Sequence, residues 1–398
     1  MRTDDLSISY LLKGIEAQDF FEQYWEKKAL HLGGRSADHY APLFDTRALN
    51  PLIWAAQHPW GKIQLANHNK GPGWRNYAQL EPNQVTLSQA YQQGDTIILN
   101  DLQENIEPLG RLCRSIAQDF NFRSNVNLYL TKGGEQGLSP HFDDQDVFIL
   151  QISGSKVWRL YDFAVYLPLD QAISDEPRHA YGAPRQELDL APGDLLYLPR
   201  GFGHAAQAHE GAASLHLTLS ITVIRWLNIL TALLQRLGEM DDSLRKSIPI
   251  GSLFSPSPGV EAGVQDTLRT LLRRCAEAVS AEATKECLDL YRGNLIRSLR
   301  PLDDLFIMEE DYEVESSTLI RKRRGVMFHC STVGDEVHVL FPGGQLVAAS
   351  GLGGVIDFIA RNDRFPVSAL PIPDGDAAKI LVARELIKQG VITRRDRV

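Results

Sequence analysis

Between Ser124 and Thr222 apolar and polar residues alternate with a period of two, in short runs separated by Gly/Pro turns. Asn125-Val126-Asn127-Leu128-Tyr129-Leu130 alternates, and His141-Phe142-Asp143 leads into Val147 to Ile152. After the turn Ser153-Gly154-Ser155, Lys156 to Tyr161 alternates again; Glu187 to Leu190, Leu195 to Leu198 and Ser214 to Thr222 complete the set. Many short strands between turn signals predict an all-β sandwich or barrel. The flanks follow a helical period. Asp19 is placed to cap a helix over Phe20 to Lys28, with Phe20, Phe21, Tyr24 and Trp25 on one face. A second helix is expected from Ile106 to Asp119, Pro108 falling in its first turn. Helices are expected again over Trp226 to Met240 and Val260 to Leu299, with Pro249, Pro256 and Pro258 at the joint. Trp158 and Trp226 read as core. In the tail, Val326 to Cys330, Glu336 to Phe341 and Gln345 to Ala349 read as strands, and Gly351 to Arg361 and Gly375 to Gln389 as helices. Small β elements with a closing helix suggest a winged-helix-like module.

A chain of 398 residues at 43% hydrophobic and 23% charged is ordinary globular material, enough for two or three domains. Cys113, Cys275, Cys287 and Cys330 form no C-x-x-C pair, so neither a zinc ribbon nor a disulfide framework is indicated. Reduced thiols in a cytoplasm are the simplest expectation. Met1-Arg2-Thr3-Asp4-Asp5 has no apolar signal core behind it, and no run approaches the roughly 18 apolar residues of a membrane helix. The net charge of -9 is uneven: Ser317 to Val398 carries +4 and the remainder -13. An acidic body is compatible with a basic protein or peptide substrate.

The chemistry centres on His141 and Asp143. Two positions apart on a strand they point the same way, and Phe142 points away. One imidazole and one carboxylate so placed can occupy adjacent corners of an octahedron. His204, in the Gly/Pro-framed segment after Leu195 to Leu198, is the candidate third ligand. Two histidines and a carboxylate on one face leave three positions open, the facial triad of non-haem Fe(II) oxygenases. A tetrahedral zinc site stays open on ligand identity alone.

These segments resemble the JmjC-type Fe(II)/2-oxoglutarate oxygenases, and within them the ribosomal oxygenase (cupin-4) family. The matching strings are Pro140-His141-Phe142-Asp143-Asp144, Phe148 to Gln151, Lys156 to Tyr161, Pro192 to Gly201, Ser214 to Ser220 and Tyr24-Trp25-Glu26-Lys27-Lys28. Their order and spacing hold along nearly the whole chain. The resemblance implies an α+β protein with a double-stranded β-helix (jelly-roll, cupin) core. It implies an oxygenase domain with N-terminal helices over 1–222, a helical dimerisation domain over 223–310 and a winged-helix-like domain over 311–398. It assigns Fe(II) to His141, Asp143 and His204, with O₂ and 2-oxoglutarate as co-substrates. Lys156 stands where the family holds the distal carboxylate of 2-oxoglutarate, and Asn127, Tyr129 and Ser220 where other groups line that pocket. A dianion in a mostly apolar barrel needs such a cation. The implied activity is hydroxylation of a ribosomal-protein side chain by a homodimer. Lys156 and the Ser-Leu-His-Leu-Thr-Leu-Ser string favour histidine over arginine, since the arginine-directed bacterial members typically carry an arginine at that position.

Competing expectations are a hydroxylase of peptide natural products, a non-catalytic metal-binding cupin and a nucleic-acid-binding protein. The last rests on Arg321-Lys322-Arg323-Arg324 and Arg394-Arg395-Asp396-Arg397, although charge runs are more often solvated edges. His209 reads as a neighbour of His204, and His216, sharing the strand parity of Ser220, as a packed core histidine. Lys132 to Gly137 is a candidate mobile lid.

Overall fold

The computed structural model describes residues 6–56, 62–71, 73–77, 86–169, 181–250, 252–253, 258–299, 313–323, 326–349 and 352–394. The chain divides into two compact units, Met1–Val223 and Ile224–Val398.

Among the described residues the first unit has eleven strands: β1 (Leu30–Leu32), β2 (Ile63–Ala66), β3 (Trp74–Asn76), β4 (Thr96–Leu99), β5 (Arg123–Thr131), β6 (Asp146–Ser153), β7 (Lys156–Phe163), β8 (Gln186–Leu190), β9 (Leu195–Leu198), β10 (Phe202–Ala208) and β11 (Ser214–Thr222). Eight form one sheet in the order β1-β9-β6-β11-β5-β4-β2-β3, and three form a second in the order β10-β7-β8. All pairings are antiparallel. Period-two alternation sorts the side chains. On β5, β6 and β11, Val126, Leu128, Phe148, Leu150, Leu217 and Leu219 join the large core under the N-terminal elements. The opposite parity faces the second sheet, where Val147 and Ile149 pack with Trp158 and Leu160. The space between the sheets therefore receives Asn127, Tyr129 and Thr131 from β5, Lys156 and Trp158 from β7, and Ser214, His216, Thr218 and Ser220 from β11.

The helix expected from Asp19 runs over Ala17–Gln23, with Glu16 at the N-cap and Asp19 in the first turn. It stops because Trp25 and Glu26 have tertiary partners that a continued helix would not reach. Trp25 stacks on Phe122 and Tyr197, and Glu26, in the left-handed region at φ 58°, donates its N–H to the Tyr197 hydroxyl at 2.9 Å. The second expected helix spans Glu107–Phe120 with Pro108 in its first turn.

In the second unit, helix Trp226–Met240 is as expected, but Val260 to Leu299 is two helices, Pro258–Glu277 and Ala281–Ser298. Ser280 breaks them by capping the second, its hydroxyl accepting from the Ala283 N–H at 3.1 Å. Trp226, expected in the core, is 83% exposed: it stands at the first position of its helix, beyond the end of the cluster that Ala232, Leu233 and Leu237 form further along it. Trp158 is buried as expected. The tail strands fall at β12 (Leu319–Lys322), β13 (His329–Val333), β14 (Glu336–Phe341), β15 (Gly344–Ala349), β16 (Arg364–Pro366) and β17 (Ile392–Thr393). Helices Gly353–Arg361 and Gly375–Lys388 close them over a shared apolar core. Arg324, Gly351, Arg395, Arg397 and the expected 310/311 boundary lie outside the described residues. Among the described residues no helix is long and apolar enough to cross a membrane.

Candidate active site

His141 and Asp143 are not on a regular strand. His141 makes a single antiparallel bridge with His204: each backbone N–H donates to the other's carbonyl, at 3.0 and 2.8 Å. That exchange, rather than strand parity, brings the two imidazoles together, with ring centroids 4.3 Å apart. Asp143 is fixed through its backbone, its carbonyl accepting from the Gly201 N–H at 2.7 Å. Gly201 is obligatory there, because its φ is +83° and a Cβ would collide with the Val165 carbonyl oxygen. The Asp143 carboxylate lies 3.9 Å from His141 Nε2 and 3.7 Å from His204 Nε2. One ligand atom from each of the three residues falls within 4.8 Å of the others.

The tautomers suit a cation. His141 Nδ1 donates to the Ser139 carbonyl at 2.8 Å, and His204 Nδ1 to the Phe202 carbonyl at 3.0 Å. A carbonyl cannot donate, so each Nδ1 carries a proton, and Nε2 is the ring nitrogen left to face a cation. Burial, reinforced by His141, pushes the His204 imidazole down to about 4 and keeps it neutral. The His204 side chain is buried, while His141 and Asp143 are partly exposed, so the triad opens to solvent on one side.

Lys156 sits deeper on the same interior. It is buried, and its one hydrogen bond among the described residues is donated to Thr131 Oγ1 at 2.9 Å. No carboxylate pairs with it among the described residues, and burial pushes the ammonium down to about 7. Between it and the triad runs a wall of rings: His204 to Trp158 at 5.8 Å, Trp158 to His216 at 5.6 Å and His216 stacked on Tyr129 at 4.8 Å. Trp158 Nε1 and His216 Nδ1 are buried on this wall without a hydrogen-bond partner among the described residues. A buried cation lacking an anion, with orphaned polar atoms beside it, fits a dianionic ligand that reaches from Lys156 to the triad. Two imidazoles that present Nε2 and a carboxylate fit a divalent cation.

The other expected residues divide. Tyr129 lines this pocket. Asn127 braces it: its Oδ1 accepts from the Asp101 N–H at 3.0 Å, and its side chain bonds the Tyr129 hydroxyl. Ser220 faces the same interior but not the same end. Thr131 pairs with Ser214, and Ser220 lies six residues further along β11, roughly 20 Å at strand spacing. It cannot share a carboxylate with Lys156. His209 is exposed and paired with Asp189. The candidate lid is tied down: Gly134 N–H donates to Ala208 O, Ala208 N–H to Glu135 O, and Gln136 bridges Gln207. Sequence reasoning missed Thr131, Thr96 and Trp158; strand parity with Lys156 and Tyr129 would have found Trp158 and Thr131.

A family profile described as "JmjC domain" matches residues 101–229. Ribosomal oxygenase 2 of Rattus norvegicus is 31% identical over 312 residues, covering 73% of this chain and 64% of that protein. The "Bifunctional lysine-specific demethylase and histidyl-hydroxylase NO66" of Drosophila mojavensis is 28% identical over 260 residues, covering 61% of this chain and 28% of that one. The chain belongs to the JmjC-type ribosomal oxygenase family. It spans less than two thirds of the length of either relative. In fold it resembles YcfD, a ribosomal oxygenase from Escherichia coli solved with cobalt and 2-oxoglutarate. The TM-score is 0.53 at 17% identity, covering 96% of this chain and 98% of that one. The matched span takes in β5 to β11 of the two facing sheets and the segment between β5 and β6 that carries His141 and Asp143.

Proposed function

We propose that the protein is an Fe(II)- and 2-oxoglutarate-dependent hydroxylase acting on a ribosomal-protein side chain, histidine ahead of arginine. The observation that carries this reading is the His141/Asp143/His204 cluster sharing one interior with a buried lysine that has no acid partner among the described residues. His141, Asp143 and His204 would hold the ferrous ion. Bound together, the ion, 2-oxoglutarate and O₂ supply oxidation of an unactivated C–H bond, yielding a hydroxylated product, succinate and CO₂. Lys156 would anchor the distal carboxylate and so fix the co-substrate's other end at the triad. The ring wall of Trp158, His216 and Tyr129 would exclude water from the pocket. The partly exposed side of His141 and Asp143 is where a target side chain would enter.

Several observations support the finer parts of this reading. The name of the Drosophila relative includes histidyl hydroxylation. The first unit has 18 Lys+Arg against 26 Asp+Glu, which favours a basic partner such as a ribosomal-protein segment. Trp226, Leu230 and Leu234 form an exposed stripe at i, i+4 and i+8, consistent with homodimerisation through 223–310. The strands and helices after Leu319 are read as winged-helix-like. The test is anaerobic loading with Fe(II), then O₂ and 2-oxoglutarate with a panel of ribosomal-protein peptides. A mass gain of one oxygen on a peptide, absent with His141→Ala, is expected. No modified peptide and no consumption of 2-oxoglutarate would overturn the reading.

A further inference from the structure

Lys156 reaches its position on a flexible four-carbon stem, and a stem of that kind needs something to place its end. Thr131 Oγ1 is 2.9 Å from the ammonium, and Thr96 Oγ1 is 3.0 Å from Thr131 Oγ1. All three side chains are buried: Lys156 is 4% exposed, Thr131 0% and Thr96 2%. An ammonium only donates, and a hydroxyl has a single proton. Thr131 therefore accepts from the Lys156 ammonium, and its hydroxyl is held on its other side by the hydrogen bond with Thr96, in which either hydroxyl can be the donor. Thr131 is β-branched and held in the β5 ladder opposite Ser214, so its hydroxyl has few alternative directions. Thr96 is itself wedged: a Cβ on Gly137 would stand 2.7 Å from its Oγ1, which places it against the segment leading to His141.

We propose that Thr131, fixed by Thr96, is the positioning residue for the Lys156 ammonium in co-substrate recognition. The inference rests on the function proposed above. One N–H of the ammonium is committed to Thr131, and the other two remain for the oxygens of a carboxylate. The hydroxyl pair thus sets where that carboxylate docks, and hence how long a keto diacid must be to reach the triad as well. Without the Thr131 hydroxyl the ammonium loses its protein acceptor and its fixed location, while the triad is untouched.

The test compares Thr131→Val, which keeps the shape and removes the hydroxyl, with Thr131→Ser, which keeps the hydroxyl. Calorimetric titration of 2-oxoglutarate into the full chain loaded with Mn(II) gives affinity without turnover. Thr131→Val is expected to weaken binding about 10- to 150-fold, the range for losing a hydrogen bond to a charged group. Its kcat at saturating co-substrate stays within about twofold, and Thr131→Ser binds within about threefold of the parent. Equal affinity in parent and Thr131→Val overturns the positioning role alone. So does a Thr131→Ser variant as weak as Thr131→Val, or a fall in kcat with affinity unchanged. Failure of the parent itself to bind 2-oxoglutarate overturns the functional reading and this inference with it. If Thr131→Val does not fold, Thr96→Val carries the test, because it leaves the Thr131 hydroxyl but removes the hydroxyl that holds it. A several-fold weaker affinity is then expected, and an unchanged one refutes the role of the hydroxyl pair.

Discussion

Lys156 concentrates the energetics of the site. Its neighbours on the interior are the hydroxyls of Thr131 and Thr96 and the His216 imidazole; burial, and then Lys156 itself, hold that imidazole well below its usual range. Burial, with no carboxylate paired to it among the described residues, lowers the ammonium from 10.5 to about 7 in the protein without co-substrate. Between those two pH values the unfolded chain holds a proton that the folded chain has released. Stability of the empty protein therefore rises with pH across that window, by at most ~1.4 kcal/mol per unit from this residue. Lys156→Met should remove this component and raise the melting temperature near pH 7, because an unpaired buried cation gives way to an apolar stem. The same variant should abolish 2-oxoglutarate binding; retained binding would refute the lysine's role. A bound carboxylate restores the charged form, so affinity should decline as pH rises above about 7. Titrations in two buffers of different ionisation enthalpy should then show proton uptake.

A buried polar brace ties together the elements next to His141, Asp143 and His204. Arg200 pairs with Asp146 at 2.9 Å and with Glu26 at 2.6 Å, and the Tyr197 hydroxyl donates to Asp146 at 2.7 Å. Asp146 is fully buried and its carboxyl is pushed up by that burial, an effect the hydrogen bonds from Tyr197 and Arg200 oppose. This network joins the Tyr24-to-Lys28 segment to β6, β9 and the turn before His204, which explains why those strings occur together in the sequence. Arg200→Ala would leave Asp146 buried and unpaired, and should cost about 3–5 kcal/mol in urea denaturation. It should also weaken metal binding, since the next residue, Gly201, holds Asp143. Gly201→Ala should destabilise by about 1–3 kcal/mol or more, combining left-handed strain with the Val165 collision. Near-parent stability in that variant would show that the turn can relax.

At the scale of the whole molecule, charge and an uncovered apolar stripe lead to two further expectations. If the acidic first unit steers a basic target, the KM for a ribosomal-protein peptide should rise several-fold between low and high salt with kcat little changed. If the Trp226–Leu230–Leu234 stripe is a homodimer seam, Leu230→Glu should shift the molar mass in light scattering to that of one chain. The period-two run from Ser124 to Thr222 and the helices flanking it were legible from residue order, as was the candidacy of His141, Asp143 and His204, whose side chains the fold brings within 4.8 Å of one another. Alternation and ligand chemistry are local properties, written into adjacent positions. Four features were not legible in that way. They are the end of the helix at Gln23, the exposure of Trp226, the separation of Ser220 from Lys156 and the threonine pair behind the lysine. Each depends on which strand lies beside which, and at what register. The sequence alone determined which side chains share a face. Only the tertiary structure decided how far apart along that face they lie and which buried groups go without a partner, because both follow from pairings between segments distant in the chain.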